Sequence, residues 1–189
     1  MQHTVIMKYS TLFILLLFTV LNIKAQTYIQ GESVTPLSGI ATSQLLPASK
    51  RLSMEDAFGI YKTRNSVTSY KQSLDLVGEF WLIDNMLIKI VSRTILLGKK
   101  EDFQKLRYAY RPEGAGVGKA FKGIYFDEVK NVNNYETLVY YFRTDNNKYF
   151  EIQDKQNRYK LMGTIISTKE DSAKAEAFIN TLLNSITFK

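Results

Sequence analysis

Residues 123–189 read GIYFDEVKNVNNYETLVYYFRTDNNKYFEIQDKQNRYKLMGTIISTKEDSAKAEAFINTLLNSITFK, and this stretch decides the fold. With Lys122 it divides into four β-rich runs, Lys122–Val132, Tyr135–Thr144, Lys148–Asp154 and Arg158–Thr168. Asn133-Asn134, Asp145-Asn146-Asn147 and Lys155-Gln156-Asn157 separate them. Asn and Asp tolerate the left-handed conformation that tight hairpin turns need, and connectors this short join antiparallel neighbours. After the meander, Thr168 to Asp171 offer a helix cap. Ala175, Phe178, Ile179, Leu182 and Ile186 then recur at helical spacing, with Lys169, Glu170, Lys174 and Glu176 off that stripe. A helix with one dry face after a meander packs on one side of the sheet. The fold class is therefore α+β: a twisted antiparallel sheet, meandering in its C-terminal half, packed against helices that include an amphipathic C-terminal one.

Working back from this stretch, the periodicity weakens. Phe103–Arg111 alternates loosely through Leu106, Tyr108 and Tyr110 and predicts a strand. The run Pro112–Lys119 carries Gly114, Gly116 and Gly118, and with a strand expected on either side it reads as a flexible hairpin loop. A phosphate-binding reading fails on spacing: a Walker A motif needs Gly where Glu113 stands and Ser or Thr where Ala120 stands. Ile88–Leu97 is rich in β-branched residues and predicts a strand, closed by Gly98-Lys99-Lys100. Before it, Ser69-Tyr70-Lys71-Gln72 fits a capping box, with Ser73 as the alternative cap. Leu76, Val77, Phe80, Ile83 and Leu87 follow at helical spacing, beside Trp81. A helix and then a strand is the reading here, and one helix through Leu97 competes with it. Ala57–Thr63 and Ser66–Tyr70 suggest a hairpin about Arg64-Asn65, Leu52–Asp56 a turn or helical turn, and Ile40–Leu46 a short strand.

The N-terminus has a different character. Met7-Lys8-Tyr9-Ser10 leads into the apolar run Thr11–Leu21, and Lys24-Ala25-Gln26 follows. A basic start, a short apolar core and a small residue define a secretory signal peptide; a spanning helix needs roughly 20 apolar residues. Residues 1–25 are read as that signal, cut near Ala25-Gln26, with Met7 a more natural start than Met1. Residues 26–39 are then a flexible lead-in, and 40–189 a single domain of a periplasmic or secreted protein that does not span the membrane.

Export without cysteine bounds the chemistry. The chain has no Cys, and its one histidine, His3, lies in the leader. Ser-His-Asp and Cys-His catalysis need an imidazole, and ordinary zinc sites need thiolate or imidazole ligands. The mature chain is read as non-enzymatic, with no cofactor and no metal; carboxylate-pair chemistry and a Ser-Lys dyad remain open. Asp127-Glu128 are adjacent on a strand, point apart and make a poor pair. Asp145-Asn146-Asn147 lacks the pattern of a calcium loop.

Charge points to one region. Loss of Lys8 and Lys24 lowers the net charge from +7 to +5, and residues 99–122 carry +4 of it. Such an excess attracts anions over about one Debye length, ~8 Å at physiological salt. Arg107, Tyr110, Arg111, Lys119 and Lys122 are the candidate binding residues, around the loop glycines Gly114, Gly116 and Gly118. The compartment favours an acidic protein, a glycan or a lipid head group as partner rather than nucleic acid. Tyr108, Tyr110, Tyr125, Tyr135, Tyr140, Tyr141, Tyr149 and Tyr159 all fall in expected strands, and Tyr140 and Tyr141 must face opposite sides.

The segment Tyr159-Lys160-Leu161-Met162-Gly163-Thr164-Ile165-Ile166, followed by Lys174–Phe188, resembles the PsbP/Mog1-like superfamily over about the last 65 residues. Leu45-Leu46-Pro47 and Phe58-Gly59 correspond to its early strand region. The resemblance implies an α/β sandwich used for binding and accessory roles, and no catalytic residue. The leader, ending Lys24-Ala25-Gln26, resembles those of exported Bacteroidetes proteins. The first functional reading is thus an exported binding or accessory protein acting through the basic Gly-rich hairpin. A carrier of a small apolar ligand between sheet and helix is the alternative, and a carboxylate-dependent hydrolase the third.

Overall fold

The computed structural model describes residues 32–65, 78–95, 100–111 and 123–189, without the side chains of 32–34 and 65. The expected signal peptide, the Ser69–Gln72 capping box and the Gly-rich run lie outside these residues. In chain order the elements are β1 (Glu32–Val34), α1 (Leu37–Ile40), β2 (Ala41–Ser43), β3 (Arg51–Leu52) and α2 (Met54–Asn65). Then come β4 (Glu79–Ile83), β5 (Met86–Ile95), α3 (Phe103–Tyr110), β6 (Tyr125–Val132) and β7 (Tyr135–Phe142). The chain closes with β8 (Asn147–Gln153), β9 (Tyr159–Ile166), α4 (Ser172–Ser185) and β10 (Ile186–Phe188).

The meander forms as its turn residues dictate. Asn133 and Asn134 take φ of 50° and 64°, and Val132 pairs with Tyr135 across them. β6, β7, β8 and β9 lie side by side, and β9 then pairs antiparallel with β5. The sheet runs β3-β4-β5-β9-β8-β7-β6, with β1 on β5 where β4 leaves off; β10 and β2 form a separate two-stranded ribbon. The segment expected as a lead-in therefore contributes structure from Glu32: Thr35 N–H donates to the Ser92 carbonyl at 2.9 Å, and Leu37 is buried.

One face of the sheet is dry. Ile88 and Ile90 of β5, Leu161 and Ile165 of β9, Phe150 and Ile152 of β8 and Val139 of β7 pack with Ala175, Ile179, Leu182 and Leu183 of α4. The opposite face carries a smaller apolar cluster, Ala57 of α2 with Phe80, Leu87 and Ile166. Beside that cluster it turns polar under α3.

Three expectations upstream are corrected. The hairpin expected over 57–70 is, through Asn65, the helix α2. Ser53 Oγ accepts from Asp56 N–H at 3.1 Å and donates to the Asp56 carboxylate at 2.6 Å, a reciprocal cap that starts a helix. The helix expected through Leu87, and the single helix through Leu97, are overturned across 79–95 by the β4–β5 hairpin. Asp84 and Asn85 at φ 48° and 62° form its turn, so the helical spacing of Phe80, Ile83 and Leu87 is accidental. The strand expected over 103–111 is α3, because the Asp102 carboxylate caps the backbone N–H groups of Gln104 and Lys105 at 3.0 and 3.1 Å. The Gly-rich run lies outside the described residues, and the element before it is a helix rather than the expected strand.

Candidate functional site

Helix α3 is held to the sheet mostly by charge. Phe103 at its start is fully buried, and Arg107 and Arg111, one turn apart, both reach Asp127 on β6. Arg107 Nε donates to Oδ1 at 2.6 Å; Arg111 donates through Nε to Oδ2 at 2.5 Å and through Nη2 to Oδ1 at 2.9 Å. The Asp127 side chain is 5% exposed, the two arginines 29% and 28%. Burial alone would raise the Asp127 carboxyl; the hydrogen bonds and charges of Arg111 and Arg107 outweigh it and hold the group below its ordinary value.

A second link lies deeper. Tyr110 Oη donates to Glu151 Oε1 at 3.0 Å, and Glu151 Oε2 lies 2.9 Å from Lys160 Nζ. Lys160 also donates to Glu101, just ahead of α3. Glu151 is 1% exposed and Lys160 5%. Burial works against the ammonium, but Glu151 and Glu101 raise its pKa overall. The Tyr110 ring lies 4.7 Å from Tyr140, which stacks on Tyr149 at 5.3 Å. Burial and the neighbouring Glu151 push the Tyr140 and Tyr110 hydroxyls well above the usual phenol range. Burial and then Asp127 push Tyr125 up to about 12, and its buried hydroxyl has no hydrogen-bond partner among the described residues.

Of the sequence-derived candidates, the structure brings together Arg107 and Tyr110 on α3 and Arg111 at its C-terminal cap. Lys119, Lys122, Gly114, Gly116 and Gly118 lie outside the described residues. The cations of residues 100–111 meet carboxylates: Lys100 pairs with Glu136 at 2.8 Å, Lys105 with Asp102 at 3.7 Å, and both arginines with Asp127. The outer surface of α3 is aromatic, with Tyr108 63% and Tyr110 39% exposed and the Arg111 guanidinium 5.0 Å above the Tyr108 ring. Sequence reasoning missed Asp127, Glu151 and Lys160 as members of this site. The available signal was the alternation of Tyr149, Glu151 and Gln153 with the apolar Phe150 and Ile152 on one strand. Asp127 and Glu128 do point apart: Glu128 pairs with Lys130 at 3.0 Å.

Lys148 and Ser172 lie 2.9 Å apart, but the Lys148 ammonium donates to that hydroxyl and to the Asp145 carbonyl at 2.8 Å. It sits 4.8 Å from the Tyr141 ring and ties β8 to the start of α4, and burial lowers the pKa of its amine. Between sheet and α4, the Phe150 ring covers Gly163 so closely that a Cβ there would fall 2.0 Å from it. A carrier's cavity is not found at that point. Among the described residues no group of three or more acidic, His or Cys side chains is placed to hold a metal, and no helix is long and apolar enough to cross a membrane.

No family model matches the chain. No curated protein matches it either. Among solved structures it is similar to the solution structure of cyanobacterial PsbP (CyanoP) from Synechocystis sp. PCC 6803. The identity is 10% and the TM-score 0.45, over 87% of this chain and 96% of that one.

Proposed function

We propose that the chain is an exported, non-catalytic binding or accessory protein, and that residues 99–122 form its recognition surface for an anionic partner. The supporting observation is the clamp of Arg107 and Arg111 on Asp127, which fixes α3 with Tyr108 exposed and the Arg111 guanidinium over its ring. Two arginines on one carboxylate leave a single positive charge, so most of the anion attraction of residues 99–122 falls to Lys119 and Lys122, which lie outside the described residues. The partner is an acidic protein, a glycan or a lipid head group, engaged by charge and by stacking on exposed tyrosine.

The test uses the mature chain and a K119E/K122E variant, which leaves the clamp intact. Binding is measured to an immobilised sulfated glycan, to vesicles containing phosphatidylglycerol, and to a poly-glutamate peptide at low and physiological salt. Retention by one probe, lost in the variant and weakened by salt, is expected. Absence of binding to all three, or equal binding by the variant, overturns the proposal.

A further inference from the structure

Among the described residues the sheet ends on β6, where only β7 pairs with it. An eight-residue edge strand presents a row of backbone groups that invites another strand. The Arg143 N–H donates to the Ile124 carbonyl at 2.7 Å, which fixes the alternation along β6. Even-numbered residues turn their backbone groups toward β7, and Tyr125, Asp127, Val129 and Asn131 turn theirs outward. The Asp127 carbonyl accordingly meets a side chain, Arg107 Nη2 at 3.5 Å, rather than a strand.

The side chains specify what this edge accepts. Consider a second copy of β6 laid antiparallel against the first about a two-fold axis normal to the sheet. Facing residues must share a face, so the axis passes through one residue, and the charge pattern selects which. With the axis at Val129, its N–H and C=O exchange with those of Val129 in the other copy. Glu128 then faces Lys130 twice, and Phe126 faces Val132 twice. Glu128 and Lys130 fall at non-hydrogen-bonded positions, where opposing side chains are closest. Moving the axis to residue 128 sets Glu128 against its own copy; moving it to 130 does the same to Lys130; at 127 Asp127 meets itself. Glu128 is 46% exposed and Lys130 25%, so both are accessible to a partner.

We propose that β6 is a homodimerisation edge, joining two copies of this chain through antiparallel β6–β6 pairing centred on Val129.

Sedimentation of the mature chain over a wide concentration range gives the first readout, with a reversible monomer–dimer equilibrium weakened by salt as the expected result. K130E or E128K alone sets like charges opposed and is expected to weaken dimerisation by roughly tenfold. E128K/K130E restores the opposed pairs and the dimer. V129P removes an outward N–H without touching the β7 ladder and leaves a folded monomer. Because the mature chain lacks cysteine, oxidised V129C is expected to give a disulfide-linked dimer, its Cα atoms ~5.5 Å apart, whereas N131C gives none. A wild-type monomer at all concentrations, a folded V129P that still dimerises, or an E128K/K130E variant no better than the single changes overturns the proposal. Should V129P fail to fold, the charge-swap series and the cysteine pair decide it.

Discussion

Phe150 and Glu151 are neighbours on β8, both 1% exposed, and they enter opposite kinds of interior. Phe150 packs into the apolar layer under α4, where attraction is non-directional and depends on area and fit. Glu151 enters a layer under α3 in which Tyr110, Lys160 and Glu101 must each be in place to offset the loss of hydration. The dry face therefore supplies most of the stability, and its strength is indifferent to salt and largely to pH. The wet face contributes less net energy, because desolvation cancels much of the Coulomb attraction, but it specifies where α3 sits. Aromatic exposure collects on that same helix, at Tyr108 and Tyr110. A recognition surface built there rests on a support that responds to ions.

The contrast breaks first on the dry side. Phe150→Ala removes a fully buried ring from the sheet centre and is expected to cost about 3–5 kcal/mol, equally at low and high salt, by urea unfolding. On the wet side, Asp127→Ala leaves Arg107 and Arg111 without their carboxylate. Breaking a buried pair costs about 3–5 kcal/mol; the arginines are partly solvated, so the lower end is expected. Its signature is pH. The folded pKa of Asp127 lies below its ordinary value, so its contribution is fully present above the unfolded value of ~3.9 and is lost as pH falls through the folded value. Stability of the wild-type chain is expected to drop across that acid window more steeply than that of Asp127→Asn. Parallel acid limbs would show that the clamp contributes nothing. Gly163→Ala returns to the dry side: its methyl would lie 2.0 Å from the Phe150 ring, and overpacking of about 1–3 kcal/mol is expected by thermal unfolding.

The two faces also differ in how well the sequence announces them. The meander and α4 are legible because two periodicities, 2 and then 3.6, run unbroken between turn residues that the left-handed conformation demands. Asn133, Asn134 and Asn157 all take positive φ. The Tyr140 and Tyr141 pair follows from the same alternation. Tyr140 stacks on Tyr149 and lies tilted against Tyr110, whereas Tyr141 stacks on Phe126 at 4.9 Å within the dry layer. Upstream, local caps outweighed period. Ser53 and Asp102 each start a helix by taking up backbone N–H groups, and the loose alternation that follows them misleads. Phe80, Ile83 and Leu87 show the reverse, a helical spacing carried on two paired strands. The site itself was half visible. Arg107, Tyr110 and Arg111 stand close in sequence, but Asp127, Glu151 and Lys160 come from three strands whose register alone brings them under α3.

The smallest effect separates the faces most sharply. Removing one member of the Glu151–Lys160 pair leaves a buried charge with less compensation, so Glu151→Leu is expected to destabilise the chain by roughly 1–3 kcal/mol. Replacing both, as Glu151→Leu with Lys160→Met, removes two desolvation penalties together and lets the layer close with apolar contacts; the expected net change is about zero. Tyr110 is 39% exposed and Glu101 stands at the edge of the layer, so water can take over the hydrogen bonds that the pair supplied. An equivalent double change on the dry face, Phe150→Ala with Ile152→Ala, has no such compensation, and its two losses accumulate. Urea midpoints of the single and double variants, closed as a double-mutant cycle, measure the coupling. A double variant as unstable as the sum of its parts would mean that the charges under α3 hold the fold as the apolar layer does.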